Sequence, residues 1–164
     1  MIISLVAAAT ENNVIGLKND LPWDLPNDMK FFVQTTKGHH ILSGRKNYSA
    51  TGKLLPNRTN IIISRSENLK IEGAFVFSSI EEGIAFAKER GETELMIIGG
   101  GEIYRQTIKY ADKIYLTRIH TELEGDTYFP KVDENTWQLI EEKHQPADDK
   151  HQYSFTFLTY TRKK

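Results

Sequence analysis

The sequence predicts an α/β fold: a single domain, residues 1–164, with a mostly parallel central sheet of about eight strands, an antiparallel C-terminal edge and helices on both faces. Three observations predict it. The apolar runs at residues 2–8 and 95–98 are nearly continuous, as strands covered on both faces require. Helical patterns stand between such runs, which is the alternation of a parallel sheet. The last two runs, residues 137–142 and 153–160, alternate apolar and polar, as an antiparallel pair does.

The elements follow in order. After the first strand, residues 10–24 hold Asn12, Asn13, Gly16, Asn19, Asp20 and Pro22, a dense set of turn formers. Loops of about fifteen residues are uncommon in compact domains unless they have a function. Leu25-Pro26-Asn27-Asp28 opens a helix with Pro26 in its first turn. Met29, Phe32 and Val33 share one face of it, and Gly38 ends it. Strands are expected at 40–43, 59–64 and 74–77. Ser78 or Ser79 caps the next helix, with Glu81 and Glu82 in its first turn and Lys88 and Arg90 near its end, the charge order a helix dipole favours. The strand at 95–98 runs into Gly99-Gly100-Gly101 and a helix over 102–110, and 113–120 is a further strand. Phe75, Phe77, Phe86, Phe155 and Phe157 are read as core.

Composition narrows the function classes. A net charge of −1 gives no electrostatic reason for a nucleic-acid or anionic-membrane partner. No cysteine is present, so disulfides and thiolate chemistry are excluded. Residues 1–9 are too short for a membrane span and lack the marks of a signal peptide, so a cytoplasmic protein is expected. His39 and His40 precede a strand, where neighbours point to opposite faces, and make a poor metal pair. His120, His144 and His151 are scattered, no metal-ligand spacing occurs, and no metal is expected.

Three clusters carry chemistry. Gly99, Gly100 and Gly101 at a strand's carboxyl end, opening a helix, expose backbone amides that suit a phosphate, although a tight turn would use the same residues. Gly44-Arg45-Lys46-Asn47 and Ser64-Arg65-Ser66 place cations at two more strand ends, where α/β sheets bind ligands. Any one of these cations could be a solvated surface charge. Asp28 lies early in its helix, near the face that carries Phe31 and Phe32 at i+3 and i+4. A carboxylate in apolar surroundings is a candidate acid or ligand anchor, and a helix-start acid favoured by the dipole is the plainer reading.

Taken together, Ile15-Gly16, residues 21–26 (Leu-Pro-Trp-Asp-Leu-Pro), Asp28, Gly44-Arg45-Lys46, Leu55-Pro56-Asn57-Arg58, residues 98–104 and residues 124–130 occur in one order and spacing. In these segments the chain is similar to the chromosomal-type dihydrofolate reductases over nearly its whole length. The resemblance implies hydride transfer from NADPH to C6 of dihydrofolate and protonation of N5, with water carrying the proton. Asp28 matches the carboxylate that takes two parallel hydrogen bonds from the pterin. Thr117 matches the threonine that bonds this carboxylate, and Trp23 the tryptophan that holds a nearby water. Val6, Ala7, Met29, Phe32, Thr51, Leu55 and Ile98 match the substrate wall, and Arg58 the fork for the glutamate tail.

On the cofactor side, Ala8, Ile15 and Tyr104 match nicotinamide contacts, and Gly16 and Leu21 match further cofactor-binding positions. Gly99, Gly100, Gly101, Glu102 and Ile103 match the pyrophosphate cradle, with a cis peptide between the first two glycines. Gly44, Arg45, Lys46, Asn47, Ser64, Arg65 and Ser66 match the nucleotide grip, where Arg45 and Arg65 favour NADPH over NADH. Residues 10–24 match a lid, and Thr127 belongs to the loop it packs against. Ser43, Asn47 and Ala50-Thr51-Gly52 depart from the usual family residues, and none of these removes a group the chemistry needs. The resemblance further implies a monomer that meets small molecules and antifolates. Two rivals on the same pocket are a reductase of another pterin or pyrimidine and a non-catalytic sensor. Asp28 with Arg58 argues against the first, and Trp23, Asp28 and Thr117 together argue against the second.

Overall fold

The computed structural model describes residues 1–16, 23–66 and 69–164. Along the chain these form β1 (Ile2–Thr10), β2 (Val14–Gly16), α1 (Pro26–Thr36), β3 (His40–Gly44), α2 (Arg45–Thr51), β4 (Thr59–Ile63) and β5 (Ala74–Phe77). Then come α3 (Ile80–Glu89), β6 (Glu94–Gly99), α4 (Gly101–Thr107), β7 (Lys113–Ile119), β8 (Thr127–Tyr128), β9 (Trp137–Gln145) and β10 (Phe155–Arg162). Among the described residues no helix is long and apolar enough to cross a membrane.

Eight strands form one sheet in the order β5-β4-β3-β6-β1-β7-β10-β9. Pairing is parallel from β5 to β7 and antiparallel for β7, β10 and β9. The chain leaves β1 toward β3 on one side, and leaves β6 toward β7 on the other. Right-handed crossovers therefore put α1 and α4 on opposite faces, and open a crevice at the carboxyl ends of β1 and β6. β3 and β6 pair in step to Leu42 and Ile97, then slip so that Ser43 meets Gly99. The extra residue in β6 falls where the strands reach that crevice.

The strand pleat sorts the core. Leu5, Leu42, Ile61 and Ile97 are fully buried in one cluster, with Ile103 and Tyr104 of α4 packed among them. Val6, Ile41 and Met96, each next in sequence to a member of that cluster, form a second one with Phe32 of α1. Each fully buried aliphatic side chain contributes about 1.5–3 kcal/mol. The outer strand β9 is exposed along most of its length and carries Glu141, Glu142 and Lys143, charges that discourage edge pairing.

Four expectations change. The loop after β1 is not wholly irregular, because Val14 and Gly16 pair antiparallel with Tyr128 and Thr127. The helix after the glycine triplet starts at Gly101 and ends at Thr107, continuing as a 3₁₀ turn to Tyr110. Phe75 is not core: it is 39% exposed on edge strand β5, with the Arg90 guanidinium 5.2 Å from its ring centre. His39 and His40 do not diverge, since β3 starts only at His40. Both Nδ1 atoms meet Glu92, at 2.9 and 2.8 Å. Burial pushes the Glu92 carboxyl up, but the bonds from His39 and His40 outweigh it and hold it at about 2.

Gly125 sits tightly against the β2–β8 ribbon. A Cβ there would lie 2.3 Å from Val14 Cγ1 and 2.8 Å from Gly16 O. Gly125→Ala is therefore expected to cost about 1–3 kcal/mol, read as a lower urea midpoint at unchanged slope.

Candidate active site

The site begins with α1. Pro26 occupies its first turn, and Asp28 follows two residues later, facing the sheet. β7 brings up Thr117, which stands opposite Ala8 of β1 and Phe157 of β10. The Thr117 hydroxyl, 1% exposed, donates to Asp28 Oδ1 at 2.7 Å. Burial pushes the Asp28 carboxyl up to about 6, and the Thr117 bond restrains the rise. The helix-start reading and the apolar-pocket reading of Asp28 thus both hold: the first turn places the carboxyl, and its surroundings desolvate it.

Around Asp28 the walls are apolar. Val6, Ala7, Phe31, Phe32, Leu55 and Ile98 line the cleft, Trp23 and Ala8 flank the Asp28 end, and Met29 stands at the rim, 53% exposed. Tyr104 reaches under this floor from α4. Its buried hydroxyl donates to Val6 O at 2.5 Å, and burial followed by the Asp28 charge drives its pKa upward, so it stays a donor.

From there the cleft runs across the carboxyl ends of β6, β3, β4 and β5. Gly44, Arg45, Lys46 and Asn47 line it after β3, and Ser64, Arg65 and Ser66 after β4. Gly100, Gly101, Glu102 and Ile103 line it after β6, with Ile15, Gly16 and Thr127 closing the near side. The peptide between Gly99 and Gly100 is cis. The Gly100 backbone is bare: a Cβ there would meet nothing within 4 Å. At Gly101 a Cβ would lie 2.6 Å from Thr127 Cγ2, and at Gly44 2.9 Å from Ile103 Cγ1, so larger residues would narrow the cleft wall. Glu102 is turned to its own helix, paired with Arg105 and Gln106, whose bonds hold its carboxyl at about 2. The whole cleft holds about 1340 Å³. That exceeds the roughly 300–1,000 Å³ typical for one small ligand, and accommodates two lying end to end.

Some expected residues stand elsewhere. Gly99 packs on Tyr104 instead of lining the cleft, at φ +117°, a backbone conformation that favours glycine. Arg58 lies just past Leu55, outside the lining. Its Nε donates to Thr36 Oγ1 at 2.8 Å and its Nη1 to Pro56 O at 2.7 Å. Leu21 lies outside the described residues, as does the Thr51 side chain. Phe31 lines the cleft beside Asp28, as its i+3 spacing predicts, although it was not assigned to the substrate wall. Other lining residues were missed. Ser78 and Ser79 were recoverable because they follow β5, a fourth strand end on the cleft. Tyr48 and Lys53 of the α2 region carry no comparable signal.

The family model for dihydrofolate reductase matches residues 2–162. The dihydrofolate reductase of Haemophilus influenzae is 42% identical over 99% of this chain and 100% of its own length. That of Bacillus subtilis is 40% identical over 98% and 95%. A solved structure of dihydrofolate reductase from Enterococcus faecalis, complexed with NADP(H) and RAB-propyl, superposes with a TM-score of 0.93 at 35% identity, covering 99% of this chain and 97% of that one. Asp28 under its Thr117 bond, the cation-lined arm and the match over residues 2–162 converge, and the chain belongs to the dihydrofolate reductase family.

Proposed function

We propose that this chain reduces 7,8-dihydrofolate to tetrahydrofolate with NADPH, transferring a hydride to C6 and adding a proton at N5. The observation that carries the reading is Asp28: one desolvated carboxyl, oriented by Thr117, where an apolar pocket joins a cation-lined arm. An ionised carboxylate accepts two parallel N–H bonds, so it fixes the pterin edge and turns C6 toward the arm. Phe31, Phe32, Leu55 and Ile98 exclude water from the ring faces. Arg58, held by Thr36 and Pro56, is assigned the carboxylate tail at the outer end.

The arm fits a dinucleotide bearing an extra phosphate. The bare backbone at Gly100, followed by Gly101 at the start of α4, suits the pyrophosphate, and Arg45, Lys46 and Arg65 supply positive charge at three points beyond it. When bound, the reduced nicotinamide supplies the hydride. Ala8, Ile15 and Tyr104 bound the space assigned to that ring, and Trp23 borders the path by which water delivers the proton. We place the protein in the cytoplasm as a monomer that meets small molecules, including antifolates in the substrate pocket.

The direct test is loss of the near-ultraviolet absorbance of NADPH on adding dihydrofolate. Binding of NADPH without turnover by folded protein contradicts the reading. Arg65→Ala is expected to raise KM for NADPH about ten- to hundredfold, since a charge-assisted bond contributes about 1.5–3 kcal/mol. KM for NADH should barely move. Equal weakening of both cofactors would show that Arg65 does not read the phosphate.

A further inference from the structure

α1 starts without a side-chain cap. Its N-cap residue is Leu25, which has no polar side chain, and Pro26 carries no N–H. The amides of Asp28 and Met29 both turn back to Leu25 O, at 3.0 and 3.1 Å. That leaves the Asn27 amide, one residue before the pocket carboxylate, to find a partner. It donates to His151 Nε2 at 3.1 Å, across 124 positions of sequence. The Asn27 side chain adds a second tie, donating to Gln145 Oε1 at 3.3 Å.

We propose that His151 is a positioning residue for catalysis, a cap supplied from the β9–β10 connection that sets the first turn of α1 and hence the place of the Asp28 carboxylate. The inference rests on the dihydrofolate reading above. A main-chain amide can only donate, so His151 Nε2 must be bare and its proton must sit on Nδ1. Nδ1 then donates to Asp148 Oδ1 at 2.7 Å, which holds the Asp148 carboxyl below its ordinary range. The main chains of Asp148 and His151 bond each other in both directions, at 3.0 and 3.1 Å, so the loop that carries the imidazole is itself closed. The ring is 3% exposed and packs on Phe155, whose cluster includes Leu25, the residue that starts the helix. Both imidazole nitrogens are thereby committed, one to the loop and one to the helix.

Two substitutions separate the two bonds. In His151→Gln an amide oxygen can stand where Nε2 was and keep the cap. In His151→Asn an amide N–H can stand where Nδ1 was, keeping the loop bond and losing the cap. Steady-state kinetics should show KM for dihydrofolate raised about five- to tenfold in His151→Asn, the weight of one lost helix-end bond, and returned toward the parent in His151→Gln. KM for NADPH should stay put in both. Two variants that both match an active parent overturn the proposal, and so do two equally impaired variants that also bind NADPH poorly. An inactive parent instead overturns the functional reading, and the positioning role with it. Should His151→Asn fail to fold, the parent carries the test through the long-range nitrogen couplings of its imidazole. A proton on Nδ1 supports the cap, and a proton on Nε2 overturns it.

Discussion

Asp28→Asn is expected to lower kcat/KM for dihydrofolate by about 10²–10⁴-fold near neutral pH, the loss expected when the charge that orients the pterin and favours its protonation by water is removed. The substitution keeps the shape and leaves an oxygen to accept the Thr117 bond. It removes the negative charge and one of the two acceptors that hold the pterin edge. The deficit should narrow in acid, where dihydrofolate becomes protonated in solution and needs less help from the site. NADPH affinity should be nearly unchanged, because the cations and the bare Gly100 backbone of the arm lie away from Asp28. A uniform loss at all pH values would mean that the substitution disturbs the fold instead of the chemistry.

The same carboxyl carries the second large expectation, an increase in stability. In the fold without ligand its pKa is raised from 3.8 to about 6, chiefly by burial. A raised pKa means that the fold favours the neutral form. The contribution of Asp28 is therefore complete below its ordinary pKa and is lost as pH rises through about 6. The loss amounts to about 2–3 kcal/mol as an order of magnitude, since each tenfold change in proton affinity corresponds to about 1.4 kcal/mol. Ligand-free Asp28→Asn should thus be more stable than the parent above about pH 7, and the gap should close toward about pH 4. Urea unfolding of both proteins across that range measures it. A constant gap, or a parent that is the more stable in alkali, would show that the Asp28 carboxyl is not desolvated. Together the two results would mark a site that gives up stability for binding.

Much of this architecture is readable along the chain because its signals are local. The apolar run at residues 95–98 and the glycine triplet after it announce β6 and the cradle at α4 through adjacent residues. Asp28, Phe31 and Phe32 are tied by the helical repeat alone. What was not readable depends on distant partners. The three residues of β2 become a strand only because β8 lies across from them, more than a hundred positions away. His39 and His40 converge because Glu92 lies between them, which no rule of strand alternation foresees. Phe75 looks like core by composition, but it sits on the outermost strand of its side, where it packs on Phe86 and its outer side meets Arg90 and solvent. His151 shows nothing in a polar stretch of sequence, and its role exists only where the β9–β10 connection meets the start of α1.

The most direct measurement uses NADPH carrying deuterium on the transferable face of its nicotinamide, mixed with dihydrofolate and the parent protein. The expected result is tetrahydrofolate with deuterium at C6 and solvent hydrogen at N5. Oxidised cofactor without deuterium at C6, or bound NADPH that is never oxidised, would contradict hydride transfer to a pterin held by Asp28.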